Sequence, residues 1–198
     1  SRDYLTYLGQ ANGLPVQVKA AGGTAACDWV ASIRTALEAP TKPRLIVLEF
    51  WGNNLTPCMG ASKEQPTGYP LGSQTYLAKY RESLNAIRSA ASKAGVPVVW
   101  AASPPRHYAD ADPDLNGVFE DMARRRGWRV IPSGEAVADA KGRWVRRLPC
   151  SDHDNATRSC VSGVVEVRAA DHVHFATASS GELPGALRWA EAVIGALI

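Results

Sequence analysis

Two stretches of this chain stand out as apolar: residues 96–102 (VPVVWAA) throughout, and residues 44–50 (RLIVLEF) apart from Arg44 and Glu49. A strand with one wet face alternates apolar and polar residues, whereas one covered on both faces does not; the usual setting for two dry faces is a parallel sheet with helices packed on it. The segments around these runs have the matching helical character. Residues 3–12 read as a short helix stopped by Gly13 and Pro15, and residues 16–20 as a strand. After the Gly22-Gly23-Thr24 turn, Asp28 is placed to cap a helix with Trp29, Ile33 and Leu37 on one face. Ser73 opens a long helix bearing Tyr76, Tyr80, Leu84, Ile87 and Ala91 at three- and four-residue spacing, closed by Gly95. A further helix over 114–126 turns Leu115, Phe119 and Met122 inward. A strand at 128–131, a short extended segment at 164–168 and a terminal helix over 185–198 complete the pattern. Strands alternating with helices define the α/β class, and 198 residues without repeats or linkers suit one domain over 1–198.

Charge narrows the range of partners. Against 22 basic residues stand 19 acidic ones, and the excess of three is too small and too scattered for a nucleic-acid partner or a bilayer footprint. The short basic runs at 124–126 and 143–147 read as solvated faces. No apolar run approaches the roughly 18 residues of a membrane span, so no transmembrane segment is expected. The four cysteines, Cys27, Cys58, Cys150 and Cys160, allow three pairings. Cys150 and Cys160 bracket a polar loop with no apolar periodicity of its own, which gains most from a covalent staple. We therefore expect Cys150–Cys160 and Cys27–Cys58, in an oxidising, extracytoplasmic compartment.

In open α/β sheets ligands bind beyond the carboxyl ends of the strands, and three such places carry chemistry. Gly22 and Gly23 can present bare backbone N–H groups to a substrate. Trp51-Gly52-Asn53-Asn54 puts a side-chain amide at a strand end. Asp171 precedes His174 by three residues, close enough for a carboxylate to hold the imidazole. Acyl transfer needs a nucleophile, a base, an acid that orients the base, and donors for the oxyanion. Asp171 and His174 fit acid and base, Gly22 and Asn54 fit the donors, and Gly23, Asn53 and Trp51 are neighbours placed to touch substrate. Such chemistry needs no cofactor. A metal reading would join His172 and His174 to Asp152, His153 or Asp154. His107 reads as a surface residue with access to the cleft, and Trp100 as core.

A glycine-rich turn, Gly-x-Asn after a buried strand, and Asp-x-x-His before a terminal helix occur here in the order of blocks II, III and V of the SGNH (GDSL-like) hydrolases. Residues 167–175 resemble that family's V-R-x-x-D-G-V-H-F form, with His172 where glycine is usual. The cysteine-closed loop just upstream is similar to secreted actinobacterial members. The resemblance implies a flavodoxin-like three-layer α/β/α sandwich with a mainly parallel sheet, strand order 2-1-3-4-5. It implies a serine esterase or O-acyltransferase acting on a small acyl ester of a carbohydrate or lipid, and a Gly-Asp-Ser nucleophile motif after the first strand. No Gly-Asp-Ser occurs in the chain, and Leu55 follows Asn54 where aspartate is frequent. Aligned on the family, Ser1 falls at the nucleophile, with the first strand and Gly-Asp missing upstream. That strand would be central, so either upstream residues or another segment fill its slot, or the chain's start aligns differently with the family; a serine further upstream is the alternative nucleophile, with Ser1 then a helix cap. The rival of another class is a non-catalytic module of the same fold that binds envelope glycan or lipid.

Overall fold

The computed structural model describes residues 2–107 and 115–198. Along the chain come α1 (Arg2–Ala11), α2 (Ala26–Glu38), β1 (Ile46–Leu48), α3 (Gln74–Ala94), β2 (Val98–Ala101), α4 (Leu115–Arg124), β3 (Arg129–Ile131), β4 (Arg147–Pro149), α5 (Asp152–Ala156), β5 (Val164–Glu166) and α6 (Pro184–Gly195). This is an α/β fold with a mainly parallel sheet. The elements fall into two compact units, one built from residues 21–101 and 115–130, the other from 2–20, 102–107 and 131–198.

In the first unit the strands lie in the order β1-β2-β3, and β1 runs parallel to β2 with Ile46 opposite Val98 and Leu48 opposite Trp100. All four residues of β2 are buried, which is what its lack of polar side chains requires, but the two dry faces expected for 44–50 do not hold: in β1 Leu48 is buried while Val47 is exposed, as is Glu49 beyond it. Trp100 forms one side of an aromatic cluster with Tyr76, Tyr80 and Phe119, centroids 4.6–6.5 Å apart. Helix α3 delivers the tyrosines because its apolar residues recur every three or four positions. The Ser73 hydroxyl accepts the Tyr76 N–H at 3.2 Å to start it, and Gly95, at φ 67°, stops it. Helix α2 begins at Ala26, and Asp28 is its third residue rather than its cap: the carboxylate reaches back to the Ala25 N–H at 2.8 Å. The acid preference at a helix start holds for either position, so sequence alone places the boundary a few residues late.

The strand expected over 16–20 does not form. Burial alternates there, Val16 and Val18 half-buried and Gln17 and Lys19 exposed, but no strand among the described residues takes up the backbone groups. The segment expected over 164–168 does pair, although antiparallel to β4, as a separate ribbon with Arg147 opposite Glu166. Their side chains meet across it at 2.8 Å. The expected helix start at Asp114 lies outside the described residues.

In the second unit α6 buries Ala186, Leu187, Ala190, Val193 and Ile194. Trp189 Nε1–H and the Ser133 hydroxyl both donate to the Ala102 carbonyl at 2.9 Å, and the Tyr4 hydroxyl of α1 accepts the Leu183 N–H at the start of α6. The polar loop between Cys150 and Cys160 contains α5, a helix that periodicity could not reveal because it buries a charge instead of an apolar face. Its Asp154, 2% exposed, accepts from Ser151 N–H and Oγ, each at 2.8 Å, and pairs with Arg188 of α6.

Both expected disulfides are present, with Cα–Cα separations of 6.1 Å for Cys27–Cys58 and 5.7 Å for Cys150–Cys160. Loop-closure entropy makes the first, spanning 31 residues, worth roughly 4 kcal/mol and the second, spanning 10, roughly 3 kcal/mol. Cys27→Ala/Cys58→Ala should therefore lower the urea midpoint more than Cys150→Ala/Cys160→Ala; the reverse order would show that the shorter bridge does more than close a loop.

Candidate functional site

The Asp171–His174 pair sits at the tip of a tight hairpin. Arg168 and Phe175 form its base as an antiparallel bridge, the Ala169 N–H donates to His174 O at 2.9 Å, and the His172 N–H to Ala169 O at 3.1 Å. His172 takes φ 64°, a left-handed conformation that costs a side chain roughly 1 kcal/mol and glycine nothing. Within this turn one Asp171 oxygen, Oδ1, accepts the N–H groups of Val173 and His174, both at 2.9 Å. The other, Oδ2, lies 2.7 Å from His174 Nδ1. The His174 hydrogen bond, followed by these backbone donors, holds the Asp171 carboxyl far below the usual carboxylate range. A carboxylate only accepts, so Nδ1 carries the proton and Nε2 of the neutral ring keeps its lone pair. The imidazole is 78% exposed, so that nitrogen is open to a proton donor.

Two residues that the sequence did not single out support this hairpin. Arg168, 1% exposed, donates to Val173 O at 2.7 Å and lies over the Phe175 ring at 5.5 Å. Burial pulls its pKa down to about 10, with Asp171 acting in the opposite direction. Gly185, at the start of α6, leaves room for the hairpin: a Cβ there would stand 2.3 Å from Val167 O and 2.7 Å from the Phe175 ring. An arginine directly after Val167, at the end of the extended segment, and a glycine directly after Pro184, were the available signals.

The glycine and asparagine turns belong to the other unit, and there the structure brings them together. Asn53 Nδ2 donates to Thr24 O at 3.3 Å, and the turn is braced by Thr24 Oγ1 to Ala21 O at 2.7 Å and by Trp29 Nε1–H to Thr24 Oγ1 at 3.0 Å. Gly23 adopts φ 76°, and a Cβ on Gly22 or Gly23 would meet nothing within 4 Å, so both look onto open space. Asn54 turns the other way and donates to Tyr69 O at 2.9 Å. An amide nitrogen has two hydrogens, so each asparagine retains a second donor. Trp51 is half-buried.

The strand-end turn is bolted down by two hydroxyls read from sequence only as core: Tyr76 Oη donates to Gly52 O at 2.7 Å and Tyr80 Oη to Asn53 O at 3.0 Å. Gly52 has φ 81°, and a Cβ there would lie 2.7 Å from Tyr76 Oη and 3.0 Å from both Leu115 and Phe119. Gly52→Ala should accordingly cost about 2–4 kcal/mol, from backbone strain plus overpacking. Thermal unfolding that stays within 2 °C or so of the parent would show that the turn can relax.

Ser1 lies outside the described residues. The metal grouping of His172 and His174 with Asp152, His153 or Asp154 does not assemble among the described residues: His174 Nδ1 is held by Asp171, His153 lies 3.4 Å from Glu182, and Asp154 is committed to Arg188. The one group of ligand-type atoms close together there is Cys27, Asp28 and Cys58, whose sulfurs form the disulfide. Among the described residues no helix is long and apolar enough to cross a membrane.

Among solved structures the chain is similar to AlinE4, described as an SGNH-hydrolase family esterase, at 18% identity and TM-score 0.49 over 100% of this chain and 85% of that one. It is also similar to two point mutants of that esterase, one with a serine and one with an aspartate replaced by alanine. These match at 18% and 19% identity and TM-score 0.47, over 79% of this chain and 81% of theirs. Comparison with curated protein sequences finds no match. One family model, described as a protein of unknown function (DUF459), matches residues 23–183, which is most of the chain and includes Gly23, Asn53, Asn54, Asp171 and His174 but not Ser1, Gly22 or Gly185. The chain belongs to the DUF459 family.

Proposed function

We propose that this protein is a serine esterase of the SGNH type, which hydrolyses or transfers an acyl group on a carbohydrate or lipid ester outside the cytoplasm. The observation that carries the reading is the Asp171–His174 pair: 2.7 Å between carboxylate and Nδ1, with the second carboxylate oxygen fixed by two backbone N–H groups. That arrangement selects the tautomer whose Nε2 can take a proton, which is the requirement for a general base. The motif order supports the remaining roles. Ser1 is assigned as nucleophile, and the Gly22 N–H with an asparagine amide, Asn54 or its neighbour Asn53, as oxyanion donors. Gly23 and Trp51 are assigned to substrate contact.

His174 Nε2 takes the serine proton as Oγ bonds to the ester carbonyl carbon. The oxyanion collapses, the C–O bond to the alcohol breaks, and His174 returns the proton to the departing oxygen. Water, or a second hydroxyl, then attacks the acyl-enzyme by the same route and regenerates the serine. Two disulfides support an oxidising compartment.

Incubation with p-nitrophenyl acetate tests the reading. We expect nitrophenol release with an acetylated protein species trapped on acid quench, insensitive to chelator. Folded protein that releases none would favour a non-catalytic glycan or lipid module, and activity lost to chelator and restored by zinc would favour metal chemistry.

A further inference from the structure

Three aromatic side chains from separate parts of the second unit meet beside the Asp171–His174 hairpin: His107 after β2, Trp144 before β4, and His172 in the hairpin itself. The two imidazole centroids are 4.1 Å apart, and the indole lies 4.7 Å from His107 and 5.0 Å from His172, edge-on to both. Both histidines are exposed and Trp144 is half-buried. The cluster is not explained as core. His172 is held at φ 64°, a conformation for which glycine is the relaxed choice, two residues from His174. Trp144 Nε1–H is shielded from solvent with no hydrogen-bond partner among the described residues, although buried indole N–H groups normally find one.

We propose that His107, Trp144 and His172 form a subsite for a pyranose ring, the sugar that bears or receives the acyl group. The inference deepens the esterase reading and rests on it for the acyl chemistry, but not for the binding. Aromatic rings offer π faces to the slightly positive C–H face of a sugar. The nitrogens of the two exposed imidazoles offer polar partners to its hydroxyls beside the indole ring, the mix of flat apolar surface and few convergent polar groups that small-ligand sites use. A fatty acyl chain fits poorly, because it would cover three polar nitrogen-bearing rings without satisfying any of them. His172, sharing a turn with His174, sets the distance from sugar to base.

Two measurements separate this inference from the esterase reading. In the first, saturation-transfer difference NMR is recorded with methyl 6-O-acetyl-α-D-glucopyranoside and the His174→Ala protein, in which turnover is not needed. Ring protons should receive saturation, and adding Trp144→Ala or His172→Gly should abolish it. In the second, kcat/KM for the same ester is compared with that for p-nitrophenyl acetate. Trp144→Ala, His172→Gly and His107→Ala should each lower the sugar-ester value about tenfold, chiefly through KM, and leave the aryl ester within about twofold. His172→Gly should melt no lower than the parent, since it relieves the strained φ, so a loss of sugar binding there is not a loss of fold. Absence of ring-proton saturation, or saturation unchanged by the substitutions, overturns the subsite whether or not the protein is an esterase. If neither ester is hydrolysed but the ring protons respond, the subsite stands and the esterase reading falls.

Discussion

His174→Ala is expected to lower kcat on an aryl acetate by at least about a thousandfold with little change in KM, because the step lost is proton transfer in the transition state and not substrate binding. Asp171→Asn should follow it, losing about a hundredfold or more. An asparagine can turn its amide N–H toward Nδ1, which then must accept; the proton moves to Nε2, the nitrogen that has to be free. Asp171 is exposed, so neither substitution should change stability much, and circular dichroism with a thermal melt separates a lost base from a lost fold. A His174→Ala protein turning over within tenfold of the parent would remove the pair from the mechanism.

The largest stability effect is expected at the ion pair that anchors the cysteine-closed loop. Asp154 is 2% exposed and Arg188 19% exposed, and Arg188 also donates to Pro149 O at 2.7 Å. Asp154→Ala leaves the guanidinium largely buried without its counter-charge, at a cost of about 3–5 kcal/mol, or a fall in Tm of roughly 10 °C for a chain of this size. Since the cost is chiefly that of the stranded charge, Asp154→Leu combined with Arg188→Met should be clearly more stable than Asp154→Ala. A double variant as unstable as the single would locate the cost in lost packing instead. The same carboxylate has a pH signature. Burial works to raise its pKa, but the Ser151 N–H, Arg188 and the Ser151 hydroxyl outweigh burial and hold it below its usual value. A carboxyl depressed on folding contributes stability that is complete above the unfolded value near pH 4 and disappears as pH falls through the lower folded value. Acid unfolding of the parent should therefore steepen in that window, and Asp154→Asn should flatten it.

What could be read from the sequence followed physical periodicity. The run at 96–102 announced β2 because burial on both faces leaves no polar residue, whereas 44–50 marked β1 but overstated its cover, Leu48 being buried and Val47 exposed; α3 was framed by Ser73 and Gly95 because capping chemistry is local. Both disulfides followed from the needs of a polar loop. Residues 16–20 misled, because alternation describes a strand's faces but not whether a neighbour exists to pair with it. Helix α5 was missed since its inward residue is Asp154, a charge, whose partner Arg188 lies far along the chain. In the site, the Asp171–His174 geometry was legible because three residues and one turn determine it. The roles of Tyr76 and Tyr80 were not: their rings obeyed the helical core pattern, and only coordinates show the hydroxyls ending on Gly52 and Asn53. Arg168 hid for the opposite reason, a charge in a position that folds inward.

The central claim is that an imidazole oriented by Asp171 activates a serine. Reaction of the folded protein with a fluorophosphonate, followed by peptide mass mapping, tests it most directly, since such reagents require an activated hydroxyl. We predict one adduct, on Ser1, absent from the His174→Ala protein. No adduct on folded protein, or an adduct that forms equally without His174, would contradict the account.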